Sequence, residues 1–214
     1  MSTTTPAPRW APLTVEQVAG LLGAADARWW LSGGAALDRW LGAPIREREN
    51  IDVSTIPSDL DTVLAALPPT FSAWVRDGTA LIPIADAAED AELQPVLIHD
   101  DDADAWVLRV NVEDGSRRAW MYRRDARLQL PWERVVLDVD GVPTGAPEVQ
   151  LLWKCFSPRP EDDADKDAVV PRLSDEARAW WEQQLLRIHP HSSWTIPVRS
   201  PMFPARPSWN RPAR

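Results

Sequence analysis

The 214-residue sequence predicts an α+β fold. Apolar alternation and turn signals dominate its first two thirds, and helical periodicity takes over in the last third. At 44% hydrophobic and 26% charged, the chain has enough apolar material for one substantial domain with a compact appendage. The sheet-bearing part is expected over 13–146, a helical part over 147–194, and a Pro/Arg-rich tail over 195–214.

The elements follow in order. Thr14 with Gln17 three residues on has capping-box spacing, and Val15, Val18 and Leu22 share one helical face. A short apolar strand, Arg28 to Leu31, runs into Ser32-Gly33-Gly34, and a helix from Ala35 to Leu41 follows, stopped by Gly42 and Pro44. Residues Asn50 to Ile56 alternate as a strand. Ser58 is the expected cap of a helix reaching Leu67, where Pro68-Pro69 ends it. From Phe71 to Val139 strands and loops are expected, and Trp106–Val112 and Ala119–Tyr122 flank a hairpin-like Asp114-Gly115 signal. Three helices close the pattern: Val149 to Phe156, Glu161 to Val170, and Asp175 to Ile188 capped by Ser174. In the tail, Met202, Phe203 and Trp209 can anchor a strap on the body, with its Arg against acidic surface. The alternative is a loose extension.

Composition excludes several function classes. The net charge is −9, and residues 195–214 hold four Arg and no acid, so the rest is more acidic still. Nucleic-acid binding is disfavoured because it needs clustered positive charge, whereas a small cationic ligand fits. No apolar run approaches the ~20 residues of a membrane span, and the first residues lack a signal peptide's pattern, so a cytoplasmic location is expected. The single Cys155 excludes an internal disulfide framework, and its helix position suits a buried filler. His99 lies in an acidic loop without the Gly and Glu of a calcium loop, and His189 and His191 have no Cys or further His beside them. Among the 13 Trp, adjacent pairs such as Trp29-Trp30 and Trp180-Trp181 cannot both face one core. One ring of each pair must meet a cleft, a second layer or a partner.

The chemistry concentrates between residues 30 and 52. A strand feeds Gly33-Gly34 into a helix, so backbone N–H groups at the helix start can face an anion, and glycine lets a phosphate approach closely. Strand alternation then places residues 50 and 52 on one face. A carboxylate pair at that spacing holds Mg2+ against a triphosphate.

This arrangement resembles the nucleotidyltransferase superfamily, and most closely its aminoglycoside adenylyltransferase-like branch. The residues that carry the resemblance are Gly33-Gly34-Ala35-Ala36-Leu37-Asp38-Arg39-Trp40-Leu41-Gly42, then Arg46 and Arg48, then Asn50-Ile51-Asp52. Trp120-Met121-Tyr122-Arg123-Arg124-Asp125, Pro147-Glu148-Val149-Gln150-Leu151-Leu152-Trp153-Lys154, Arg159 to Asp165 and His189-Pro190 continue it in matching order. The resemblance implies a mixed sheet bearing a metal site, a helical C-terminal part, and transfer of AMP from ATP to a hydroxyl of a small acceptor such as an aminoglycoside. It implies Mg2+ at Asn50, Asp52 and Glu113, with Asp52 and Glu113 catalytic. Ser32, Gly33, Gly34, Arg46, Arg48 and Lys154 would hold the nucleotide, and Asp38 would orient the turn.

One position departs from the pattern. The first acid of the D-x-D strand is Asn50, a neutral amide where the family has a carboxylate. The third acid is expected on a neighbouring strand. Glu113 is favoured because alternation groups it with Arg109 and Asn111, and Asp114 is second. Two readings stay open: an enzyme with a weakened metal site, and a catalytically inactive relative that binds a nucleotide or a partner. A transferase acting on a macromolecule is a weaker third.

Overall fold

The computed structural model describes residues 9–88 and 93–200. The proposed strap residues Met202, Phe203 and Trp209 lie outside them. The chain divides into two compact units, Met1–Gln150 and Leu151–Arg214.

In the first unit, α1 (Val15–Leu22) begins with the anticipated capping box. Thr14 Oγ1 accepts from the Gln17 amide at 3.2 Å and Gln17 Oε1 accepts from the Thr14 amide at 2.8 Å. The strand β1 (Trp29–Ser32) runs directly into α2 (Gly33–Leu41), followed by β2 (Asp52–Thr55) and α3 (Leu60–Ala65). Next come β3 (Phe71–Asp77), β4 (Ala80–Pro83), β5 (Val96–Asp100) and β6 (Ala105–Val112). After these lie β7 (Ala119–Met121), β8 (Gln129–Pro131), β9 (Val136–Val139) and β10 (Val142–Gly145), and α4 (Pro147–Lys154) crosses into the second unit.

Among the described residues, eight strands form one mixed sheet in the order β4-β3-β5-β6-β2-β1-β10-β9. The β1–β10 and β2–β6 pairs are parallel and the others antiparallel. The central strands are buried on both faces, as the apolar run Trp29-Trp30-Leu31 requires. Trp29 joins the main core with Leu31, Val53, Ile98 and Val110, whereas Trp30 packs on Trp132 with ring centroids 5.3 Å apart. The adjacent pair thus serves two apolar layers, one on each side of the sheet.

Two expectations fail locally. The helix near residue 58 opens as a 3-10 turn, Pro57–Asp59, and its N-cap is Asp59 rather than Ser58. The Asp59 carboxylate accepts from the Arg28 amide at 2.9 Å, and Ser58 Oγ merely donates to Asp59. Asp114-Gly115 does not join β6 and β7 as a strand pair, since β7 pairs with β8 in a separate two-stranded sheet; the doubling back is confined to an isolated antiparallel bridge between Gly115 and Trp120. There the Asp114 carbonyl accepts from the Met121 amide, and its carboxylate holds Arg123.

The second unit contains α5 (Pro160–Val169), α6 (Asp175–Ile188) and α7 (Thr195–Arg199). Ser174 caps α6 by accepting from the Ala177 amide at 3.2 Å, as its sequence indicates. Trp181 and Trp194 pack together at 6.2 Å between centroids, and Trp194 Nε1 donates to Asp163 at 2.6 Å. No helix among the described residues is long and apolar enough to cross a membrane.

Candidate functional site

Strand register brings the candidate residues together at one edge of the β1–β2–β6 trio. Ser32 lies opposite Asp52 on β2, and Asp52 lies opposite Arg109 on β6. Partners directly opposite in a sheet point to the same face, so the Asp52 carboxylate and the Arg109 guanidinium share a side. Their closest approach is 3.5 Å, from Arg109 Nε to Asp52 Oδ1, and only 16% of the Asp52 side chain is exposed. Asn50 Nδ2 donates to Asp52 Oδ2 at 2.9 Å. The amide at the altered position therefore turns its donor end, not its carbonyl, toward the carboxylate.

The Gly33-Gly34 turn sits against the same carboxylate. Gly33 adopts φ +61°, and a Cβ there would lie 2.8 Å from Asp52 Oδ2. Gly33→Ala is expected to destabilise the chain by about 1–2 kcal/mol from the left-handed backbone alone and to displace Asp52 from Asn50. Urea unfolding measures the first effect. One donor of the turn is already engaged. The Gly33 amide donates to Gln150 Oε1 at 2.8 Å, and the Gln150 side chain lies over the bare Cα of Gly145. Above Gly34 lies the Arg48 guanidinium, whose Cζ would be 2.6 Å from an added Cβ.

Arg48 reaches that place because Asp38 holds it in a fork: Nε donates to Oδ2 at 2.8 Å and Nη2 to Oδ1 at 2.6 Å. Asp38 also accepts from the Ile45 amide at 2.9 Å, fixing the loop after α2. Arg46 instead bends back to the Glu47 carbonyl at 3.3 Å. Ser32 is buried, and its hydroxyl accepts a long contact from Asn111 Nδ2 at 3.5 Å. A cavity of about 270 Å³ beside the turn is lined by Asp38, Arg48 and Asn50.

Other proposed site residues are placed elsewhere. Glu113 lies four residues beyond Arg109, about 13 Å along the strand at roughly 3.3 Å per residue. It is buried, and its Oε2 accepts from Trp120 Nε1 at 2.6 Å. Alternation put Glu113 on the right face, but register puts Arg109 beside Asp52. Asp114 pairs with Arg123 at 3.1 Å. Lys154, expected at a phosphate, is enclosed within the second unit, where its Nζ lies 2.7 Å from Asp162 and 3.1 Å from Asp165. Burial pushes the Asp162 carboxyl up. Hydrogen bonds from the Arg159 and Lys154 side chains and the Arg159 amide outweigh it and hold the group at about 2.

These residues do not fit a magnesium site. The two carboxylates near the turn are both engaged: the Asp52 oxygens face an amide donor and a guanidinium, and Asp38 holds Arg48. Among the described residues, no cluster of three or more His, Cys, Asp or Glu side chains is placed to hold a metal ion. His99 is engaged by Asp101 at 2.8 Å, and Cys155 is buried with its Sγ donating to the Leu152 carbonyl.

Motif reading passes over two residues of the candidate site: Arg109, which alternation groups only with Glu113, and Gln150, which stands only as a letter of the Pro147–Lys154 motif. Their roles emerge from pairing across long sequence separations.

Residues 14–105 match the model of the aminoglycoside-2''-adenylyltransferase family. A comparison with curated proteins finds no match. Among solved structures, the fold matches the crystal structure of ANT(2'')-Ia in complex with adenylyl-2''-tobramycin at 12% identity and a TM-score of 0.51, over 79% of this chain and 95% of that one. The solution structure of ANT(2'')-Ia is similar at 12% identity and TM-score 0.49, over 83% of this chain and 94% of that one. An antigenic nucleotidyltransferase-like protein from Paracoccidioides brasiliensis is similar at 16% identity and TM-score 0.42, over 84% and 92%. The resemblance read from the motifs therefore holds: the chain has the fold of ANT(2'')-Ia, a nucleotidyltransferase-like fold, and its residues 14–105 match the aminoglycoside-2''-adenylyltransferase family model.

Proposed function

We propose that this chain is a nucleotidyltransferase-like protein that binds a small anionic ligand at the Asp52 face without magnesium and does not transfer a nucleotidyl group. The observation that carries this reading is Arg109 paired across the strands with Asp52 at 3.5 Å. A cation there supplies the charge compensation that a metal supplies in an acidic D-x-D site. It also opposes a metal, since like unit charges 4 Å apart repel by about 4 kcal/mol at the effective dielectric of a protein surface. The Asn50 amide adds to the effect by satisfying Asp52 Oδ2 directly.

The engaged turn supports the same reading. A phosphate seeking the Gly33 amide must displace Gln150, and one approaching Gly34 meets the Arg48 fork. Arg48 spends its Nε and Nη2 on Asp38, which reduces what it can offer such an anion.

A second reading is favoured by the family match over residues 14–105. Here the chain moves AMP from ATP to a hydroxyl of a small acceptor, with Asp52 as the retained acid. Calorimetry with ATP, with and without Mg2+, separates the two, combined with a transfer assay across a panel of aminoglycosides. The expected result is an ATP affinity that Mg2+ changes by less than about twofold, and no adenylylated product. Magnesium-dependent product formation would overturn the first reading in favour of the second.

A further inference from the structure

The face that carries Asp52 and Arg109 continues across the sheet. Arg109 is in register with Leu97 on β5, and Leu97 with Trp74 on β3. Arg76 is two residues beyond Trp74 and so points to the same side. On this face lies a cavity of about 280 Å³ lined by Trp10, Arg76, Leu81, Leu97, Trp106 and Arg109. Its chemistry is unlike that expected of a site for a cationic acceptor: two guanidiniums and two indoles line it, and none of the described lining residues is acidic.

The walls are built in advance. The segment carrying Trp10 continues the lane of β2 along β6: the Trp106 amide donates to the Arg9 carbonyl at 2.8 Å, and the Ala11 amide donates to the Trp106 carbonyl at 2.9 Å. The Trp10 and Trp106 rings stand 6.5 Å apart, and Trp106 is braced by edge contacts with Trp74 at 6.3 Å and His99 at 5.0 Å. The Arg109 guanidinium lies 5.8 Å from the centre of the Trp10 ring. Its Nε is enclosed and donates no hydrogen bond, since the Asp52 oxygen at 3.5 Å is not aligned to accept one. The Arg109 side chain is 36% exposed and lines the cavity, so its guanidinium, beside a second one and flat apolar walls, suits an anionic oxygen attached to a planar ring. The volume lies just below the ~300–1,000 Å³ usual for small-molecule pockets, which suits a single ring with one anionic substituent.

We propose that this cavity is a binding site for a single planar aromatic ring bearing one carboxylate or phosphate. The ring packs against the Trp10–Trp106 pair from the cavity side, and the anion is held by Arg76 and Arg109. The site rests on the reading of the Asp52 face as a ligand-binding surface, yet it requires neither nucleotide nor metal. A polycation is rejected there by the two guanidiniums, so the acidity of the whole chain does not decide what this face admits.

The test titrates the full chain by calorimetry with four ligands built on one ring: benzoate, phenyl phosphate, neutral benzamide and cationic benzamidine. Benzoate or phenyl phosphate is expected to bind, benzamide about tenfold or more weaker, and benzamidine not at all. The stronger of the two anions identifies the preferred headgroup. Arg76→Gln is expected to weaken the anion about tenfold, and Arg76→Lys to recover part of the loss, with the urea midpoint unchanged in both. No binding of either anion, equal binding of benzamide or benzamidine, or indifference to Arg76→Gln would overturn the proposal. If the anions bind through Arg76 while ATP proves magnesium-dependent and reactive, the magnesium-free reading fails and this cavity stands. The reverse pattern removes the cavity alone.

Discussion

Lys154→Met is expected to lower the stability of the chain by about 3–5 kcal/mol, the cost of removing one partner from a buried ionic cluster. The side chain is only 12% exposed, and it bridges Asp162, 5% exposed, and the fully buried Asp165. Without it, Asp162 and Asp165 lose a shared cation in an enclosed space, where Arg159 also bonds Asp162. The urea midpoint of the full chain reads the loss. Lys154→Met combined with Asp162→Asn is expected to recover part of it, because one uncompensated charge goes. A nucleotide-binding lysine would behave oppositely, with weaker ATP binding and an unchanged midpoint. The same cluster sets an acid limit. The Asp162 carboxyl is held at about 2, below its ordinary value of 3.8, so its contribution is present above about pH 4 and is lost as the pH falls through 2. That contribution is about 2 kcal/mol, and Asp162→Asn should flatten the acid side of the stability profile.

Asn50→Asp is expected to destabilise the metal-free chain by about 1–3 kcal/mol, because it replaces a hydrogen-bond donor with a like charge. In the present structure Asn50 Nδ2 and Asp52 Oδ2 are 2.9 Å apart, and a carboxylate at residue 50 would set two acids against each other with Arg109 between them and neutrality. Thermal melting with and without Mg2+ checks it. The unaltered chain should melt at the same temperature in both. Asn50→Asp together with Arg109→Ala should gain stability with Mg2+, rising as the logarithm of its concentration. If the unaltered chain already gains as much, Asp52 holds a metal in spite of its neighbours.

The fold was legible where local signals are strong. The Thr14 capping box, the strand-to-helix passage at Ser32-Gly33 and the Ser174 cap depend on residues within a few positions of one another. Sequence failed where the answer depends on which strand lies beside which. Alternation grouped Arg109, Asn111 and Glu113 correctly, but only the β2–β6 register decides that Arg109 faces Asp52. Motif letters also conceal competition for a partner. Arg48 and Lys154 both read as phosphate ligands, yet nearby acids claim them: Asp38 ten residues before Arg48, and Asp162 eight residues after Lys154. The Gly-Gly turn read as an anion cradle because the Gln150 side chain, 117 residues away, cannot be placed on it from sequence.

That last separation bears on how the chain is made. The family match ends at residue 105, but β1 acquires its second neighbour only from Val142–Gly145, and the Gly33 amide its acceptor only from residue 150. On the ribosome, a strand buried at all four of its positions therefore waits with one edge open until two thirds of the protein has emerged. Non-local parallel pairing of this kind closes late, and an open apolar edge is a template for pairing with another nascent chain. The smallest piece able to fold correctly is thus considerably longer than the segment that matches the family model.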